Sequence, residues 1–225
     1  MSQEPFGDIP LFREIQRLLA SGEGPVNTEL ARQVATAIAT GEGDPPIPPH
    51  FATRYPIAVL EAQQLLGGYT RLAAAEPPKG EAITRAMWVS STLSGWTWLI
   101  ERLSSRFSAL ASERADQETG IQGIEAAMGQ VVPLMMGLQA GTLIGHLAQE
   151  ALFRYELPIP RADEDRVFVV AANAEQIISD YDFDADDLID WIALRDVGRH
   201  LIVTAHPWVD RYFRSALLEV IDSIE

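Results

Sequence analysis

Three glycines at fixed spacing set the strongest limit on this fold. Residues 131–148 read VVPLMMGLQAGTLIGHLA, with Gly137, Gly141 and Gly145 at every fourth position. On a helix such residues stack on one face, and a face without side chains lets a second helix approach to backbone distance. The segment therefore predicts one helix pressed against another. Its length approaches that of a membrane span, but Pro133, Gln139 and His146 interrupt it, and Glu150 and Arg154 follow at once. It reads as a buried helix of a soluble protein, with no membrane insertion. His146 reads as a hydrogen-bonded core histidine rather than a ligand.

Most of the remaining chain is patterned for helix. A short amphipathic helix is expected at 11–20 and a second at 28–40, with Thr28 as its N-cap. Pro45, Pro46, Pro48 and Pro49 make 41–50 a stiff connection. A long helix follows at 55–75 and stops at Glu76-Pro77-Pro78-Lys79-Gly80. Helix is expected again from 84 to 99 and on through 110, its Trp88, Trp96 and Trp98 forming core. Residues 124–155 form one or two helices, with Pro133 at a start or kink. The clearest strand is 166–171, RVFVVA. Asn173 then fits an N-cap with Gln176 three residues on, opening a helix to about Tyr181. Asp184 caps the helix 185–203, and a last helix spans 208–224.

Charge narrows the function. Net charge is −15, and no basic run occurs, which excludes nucleic acid as a partner. The chain has no cysteine, so thiol catalysis, disulfides and Cys-ligated zinc are ruled out. Residues 1–8 lack the basic start and apolar core of a signal peptide, and a cytoplasmic location is expected. There is no Gly-rich phosphate loop or nucleophile elbow. Asp180, Asp182, Asp184 and Asp186 imitate a calcium loop, but Ala185 and Trp191 stand where the turn glycine and bidentate glutamate belong, so they read as an acidic cap.

The helix 185–203 carries the chemical question. At about 100° per residue, Leu188, Trp191, Ile192, Arg195, Arg199 and Ile202 share one face, while Leu194, Val197 and Leu201 lie on the other side. A helix apolar on two sides is sandwiched inside a protein. Arg195 and Arg199 on such a stripe then need anions. They either form buried salt bridges or make a small-anion site.

The segment 191–200, WIALRDVGRH, resembles the active-site helix of a bacterial zincin-like family whose members are labelled candidate hydrolases or deazaflavin-coenzyme-biosynthesis-associated proteins. There the stretch reads like W-V-A-L-H-E-V-x-H. FGDIPLF at 6–12, RAMW at 85–88, GLQAGTLIGHLA at 137–148 and RYELP at 154–158 continue the likeness in order. So do the strand 167–170 with Asn173, and HPW at 206–208. The resemblance spans most of the chain. It implies a zincin-like core and, at HExxH, two histidines on one helix face holding zinc while the glutamate polarises water. Here Arg195, Asp196 and Arg199 occupy those positions. Arginine offers a metal no lone pair, and aspartate is one methylene shorter than glutamate. The chain also ends at Glu225, soon after His200, so a ligand downstream is expected to be missing.

A site shifted by one residue is the alternative. Asp196 and His200 stand at i and i+4 with His206 beyond, and a carboxylate with two imidazoles can bind zinc. The plainer reading of Asp196 and His200 is a helix ion pair.

These observations predict a mainly α protein with a small β element (α+β), a helical N-terminal portion packed on a truncated zincin-like core. Residues 1–50, 51–160 and 161–225 are expected to form one compact unit. The expected function is non-catalytic, with no catalytic residue, metal or cofactor: a binding or scaffolding module for an unknown protein partner, or one that self-associates. The alternatives are a zinc hydrolase using Asp196, His200 and His206, or a small-anion binder at Arg195 and Arg199.

Overall fold

The computed structural model describes residues 24–41, 43–72, 76–118, 122–161 and 166–224. The helix expected at 11–20 lies outside them. The described residues form α1 (Thr28–Ala39), α2 (Pro49–Thr70), β1 (Lys79–Ile83), α3 (Arg85–Gly95), α4 (Thr97–Glu118), α5 (Gln122–Glu150), β2 (Arg166–Val170), α6 (Ala171–Tyr181), α7 (Ala185–Ala205) and α8 (Trp208–Asp222). The chain is thus mainly α with a small β element.

The glycine face of α5 packs on α1, as the spacing requires. α1 answers with its own small residues, burying Ala31, Ala35 and Ala39. A methyl group on Gly141 would stand 2.6 Å from the Ala31 carbonyl oxygen, and one on Gly137 would stand 2.5 Å from that of Asn27. Polar bonds fix both ends of the pair. The Asn27 N–H donates to the Pro133 carbonyl over 3.0 Å, and Gln149 Nε2 donates to the Ile38 carbonyl over 2.9 Å. The cap of α1 is Asn27 rather than Thr28, because its Oδ1 accepts the Leu30 N–H at 2.9 Å. Pro133 lies inside α5.

α3 and α4 also pack on α5, but part of its outer surface is left uncovered. Among the described residues one helix, at Val131–Glu150, is long and apolar enough to cross a membrane. Val131, Met135, Leu138 and Leu143 face outward from it, and His146 is exposed rather than in the core. A small-residue stripe gives one helix a close partner and leaves its opposite side to solvent or another surface.

Strand β1 is absent from the sequence reading, which ends a helix at 76–80. Lys-Gly-Glu-Ala-Ile has little strand preference of its own. Its conformation comes from parallel pairing with β2, in register from Lys79↔Arg166 to Ile83↔Val170. Arg166 reinforces the pair by a 2.7 Å bond to Glu81. β2 separates two cores. Val167 and Val169 pack with Phe51, Tyr55 and Val59 of α2 and with Ile189 and Ile192 of α7. Phe168 and Val170 join Ala35 of α1, Trp88 and Val89 of α3 and Ile144 of α5. Trp88 and Trp96 meet edge to face at 6.3 Å within that second core. Trp98 is half-buried, its Nε1 donating to the Pro160 carbonyl at 3.0 Å.

Other boundaries move for local reasons. α2 starts inside the proline stretch, because Pro49 at its first turn has no N–H to satisfy. The helix expected from 84 to 110 breaks at Trp96, the cap of α3. Asn173 is not a cap, since α6 begins at Ala171. Its buried amide instead donates to the carbonyls of Ala148 and Ala151 at 3.0 and 2.7 Å, satisfying the end of α5. Its Oδ1 accepts Arg85 Nε at 2.7 Å.

Gly141→Leu should overpack the α1–α5 contact and cost about 1–3 kcal/mol, lowering the melting temperature by roughly 2–4 °C per kcal/mol. Gly68 of α2 meets nothing within 4 Å, so Gly68→Ala should stabilise by up to about 1 kcal/mol through helix propensity. Thermal melts of the two variants check both signs.

Candidate functional site

The inward face of α7 is Leu188, Ile189, Ile192, Ala193, Asp196, Val197, His200 and Leu201. This corrects the stripe read from the sequence. Trp191 and Ile202 are 48% and 46% exposed, Arg195 is exposed, and Arg199 is half-buried. The helix is not sandwiched with two arginines inside. Its buried polar residues are Asp196 and His200, at 0% and 2% exposure. The cap at Asp184 is as expected, its Oδ1 accepting the N–H groups of Asp186 and Asp187 at 2.9 and 3.1 Å.

Neither arginine forms an ion pair with a carboxylate among the described residues. Arg195 lies over the rings of Phe153 and Trp191, at 5.3 and 5.5 Å from their centroids, a cation–π arrangement that keeps its charge at the surface. Arg199 donates to the Tyr155 carbonyl.

Tyr155 is the focus of the site. Asp196 Oδ1 accepts its backbone N–H at 3.0 Å, and its hydroxyl lies 3.1 Å from His200 Nδ1. With the Arg199 bond to its carbonyl, three polar side chains of α7 converge on one residue. Asp196 Oδ2 also accepts the Phe168 N–H at 3.3 Å. That amide lies on the edge of β2 away from β1, beside Phe153, which bridges to Val169, and Leu152, whose carbonyl accepts the Val170 N–H at 2.8 Å. The carboxylate thus stands where a third strand would supply acceptors.

Burial pushes the Asp196 carboxyl up to about 7, against the backbone N–H groups of Tyr155, Arg154 and Phe168 and the Arg154 charge, which favour the anion. Burial likewise pushes the Tyr155 hydroxyl up to about 12. Burial and the Asp196 charge raise Tyr55.

His206 is exposed at the end of α7, away from the buried Asp196 and His200. Among the described residues no three His, Asp or Glu side chains are grouped to hold a metal ion. The shifted trio is therefore not brought together. Sequence reasoning gave no role to Tyr155 or Arg154, although both lie in the RYELP segment. The available signal was a buried-type polar pair, Asp196 and His200, within an otherwise apolar face.

A raised carboxyl has a definite consequence for stability. Between its ordinary value of 3.8 and the folded value of about 7, the folded state holds a proton that the unfolded chain has lost. Asp196 therefore makes stability fall as pH rises through this window, with the fall complete above about 7. Asp196→Asn should remove that contribution while placing an N–H₂ against a backbone donor, costing about 1–3 kcal/mol. Melts of both proteins between pH 5 and 8 test this. An unchanged slope in the variant would show that Asp196 does not titrate there.

Comparison with known proteins places the fold. A search of curated proteins finds no match. Among solved structures, the chain is similar to a candidate hydrolase with a novel fold from Chloroflexus aurantiacus. The TM-score is 0.63 at 22% identity, over 88% of this chain and 59% of that one. At that identity the likeness is one of fold, and the chain spans well under two thirds of that protein. The sequence profile of zincin-like metallopeptidases matches residues 26–225. With its WIALRDVGRH helix at α7 and this match over nearly its whole length, the chain belongs to the zincin-like metallopeptidase family.

Proposed function

We propose that this chain is a non-catalytic member of its family, a binding or scaffolding module whose motif helix serves as a structural clamp. The observation that carries the reading is the convergence of Asp196, Arg199 and His200 on Tyr155. A zincin needs two imidazole lone pairs and a carboxylate reaching a bound water on one helix face. At those positions α7 offers two guanidinium groups, which bind no metal, and a carboxylate engaged by backbone N–H groups in the core. Each motif position has a structural task instead.

The partner is a protein or a second copy of the chain. Trp191 and Phe183, 48% and 52% exposed, flank a hollow of about 470 Å³ that Leu152, Ile177 and Leu188 also line. An apolar surface of this kind suits protein contact. The net charge of −15 argues against nucleic acid.

The test is metal linkage. Zinc at a hundredfold its dissociation constant stabilises a folded state by about 2.7 kcal/mol, or roughly 5–11 °C for a chain of this size. The expected result is no such shift, no movement with a chelator and no peptidase activity. One equivalent of zinc, lost together with its stabilisation in His200→Ala, would replace this reading with a hydrolase built on Asp196, His200 and His206.

A further inference from the structure

We propose that the cavity between the 154–161 segment, α7 and α8 binds an amphipathic anion, a compact carboxylate or phosphate head on a short apolar chain. The cavity measures about 250 Å³, small for a ligand pocket. Its charge opposes that of the molecule. The chain has 17 basic residues against 32 acidic ones, yet Arg154, Arg161 and Arg199 line this one cavity with a single carboxylate, Asp210.

The three arginines play different parts. Arg161 is anchored, donating to Ser91 and Thr92 hydroxyls at 2.9 and 3.3 Å. Arg154 is buried, at 6% exposure, and its charge acts on Asp196 and Asp210. Arg199 has one N–H on the Tyr155 carbonyl. Its other N–H groups make no protein hydrogen bond among the described residues, leaving a planar fork of the kind that grips carboxylate or phosphate through paired bonds. Arg195, which the sequence grouped with Arg199, lies outside this cavity.

Apart from Tyr155, the rest of the lining is apolar and includes Leu157, Ile202, Val203, Val209 and Phe213. A bare inorganic anion would leave this surface against water, whereas an acyl or alkyl chain would cover it. The wall is preformed. Pro158 and Pro160 stiffen it, and Trp98 Nε1 holds the Pro160 carbonyl at 3.0 Å, so little ordering is needed on binding. This inference rests on the cavity and holds whether or not α7 binds zinc.

Calorimetric titration of the full chain with octanoate, octyl phosphate, octan-1-ol and inorganic phosphate tests it. Octanoate or octyl phosphate should bind saturably at one site, at least about tenfold tighter than octan-1-ol or inorganic phosphate. Tighter octyl phosphate would assign a phosphate head, and tighter octanoate a carboxylate. Arg199→Gln should weaken the preferred amphiphile by about tenfold or more, and Val203→Trp, which fills the apolar end, should do the same. Melting curves identify which variants fold. Failure of both amphiphiles to bind, octan-1-ol or inorganic phosphate binding as tightly, or a folded variant with wild-type affinity would overturn the proposal.

Discussion

A single buried carboxylate holds the centre of this molecule together. The open edge of β2 would expose backbone N–H groups to an apolar interior, which a protein cannot leave unpaired without a penalty. Asp196 answers one of them, that of Phe168, and the N–H of Tyr155 in the connection as well, and so joins a strand, a connection and a helix through one side chain. Ionised aspartate is acceptor-only, which suits a site surrounded by donors. The penalty of burying its charge appears as a raised carboxyl, so the group is held near the balance between anion and acid at neutral pH.

The same arrangement fixes how α7 is seated. The neighbours of the motif, Trp191, Ala193 and Val197, still set how α7 sits against the first core and Phe153. Arg195 lies on the shoulder of the helix, where a long side chain carries its charge outward along an apolar stem, whereas the half-buried Arg199 turns to the Tyr155 carbonyl. On the outer face the Arg195 guanidinium stacks on the rings of Phe153 and Trp191.

The fold was largely legible in the sequence, and the site less so. Glycines at every fourth position announce a close helix pair, because only backbone fits there. β2 announces itself by four consecutive buried apolar residues. β1 does not, because Lys79–Ile83 is a strand only by virtue of its neighbour. The stripe on α7 was misplaced by about one residue's rotation for a related reason. Periodicity treats arginine and aspartate alike as polar, whereas arginine can reach solvent from a buried edge and aspartate cannot. What allows Asp196 inside is a set of backbone donors some 28 and 41 positions away in the chain, which no local pattern reports. Tyr155 was invisible as a focus because its contacts run largely through its backbone.

The alternation of β2 carries a mechanical implication. Val167 and Val169 belong to one core, Phe168 and Val170 to the other, so the strand is a wall common to two rooms. Loosening the packing on either side frees the backbone that aligns the other, because adjacent residues of a strand cannot change course independently. β1 repeats the pattern, with Ala82 in one core and Ile83 in the other, so the α1–α5 layer and the α2–α7 layer are coupled through the main chain of this two-stranded sheet, and its buried amides are expected to be among the slower ones to exchange.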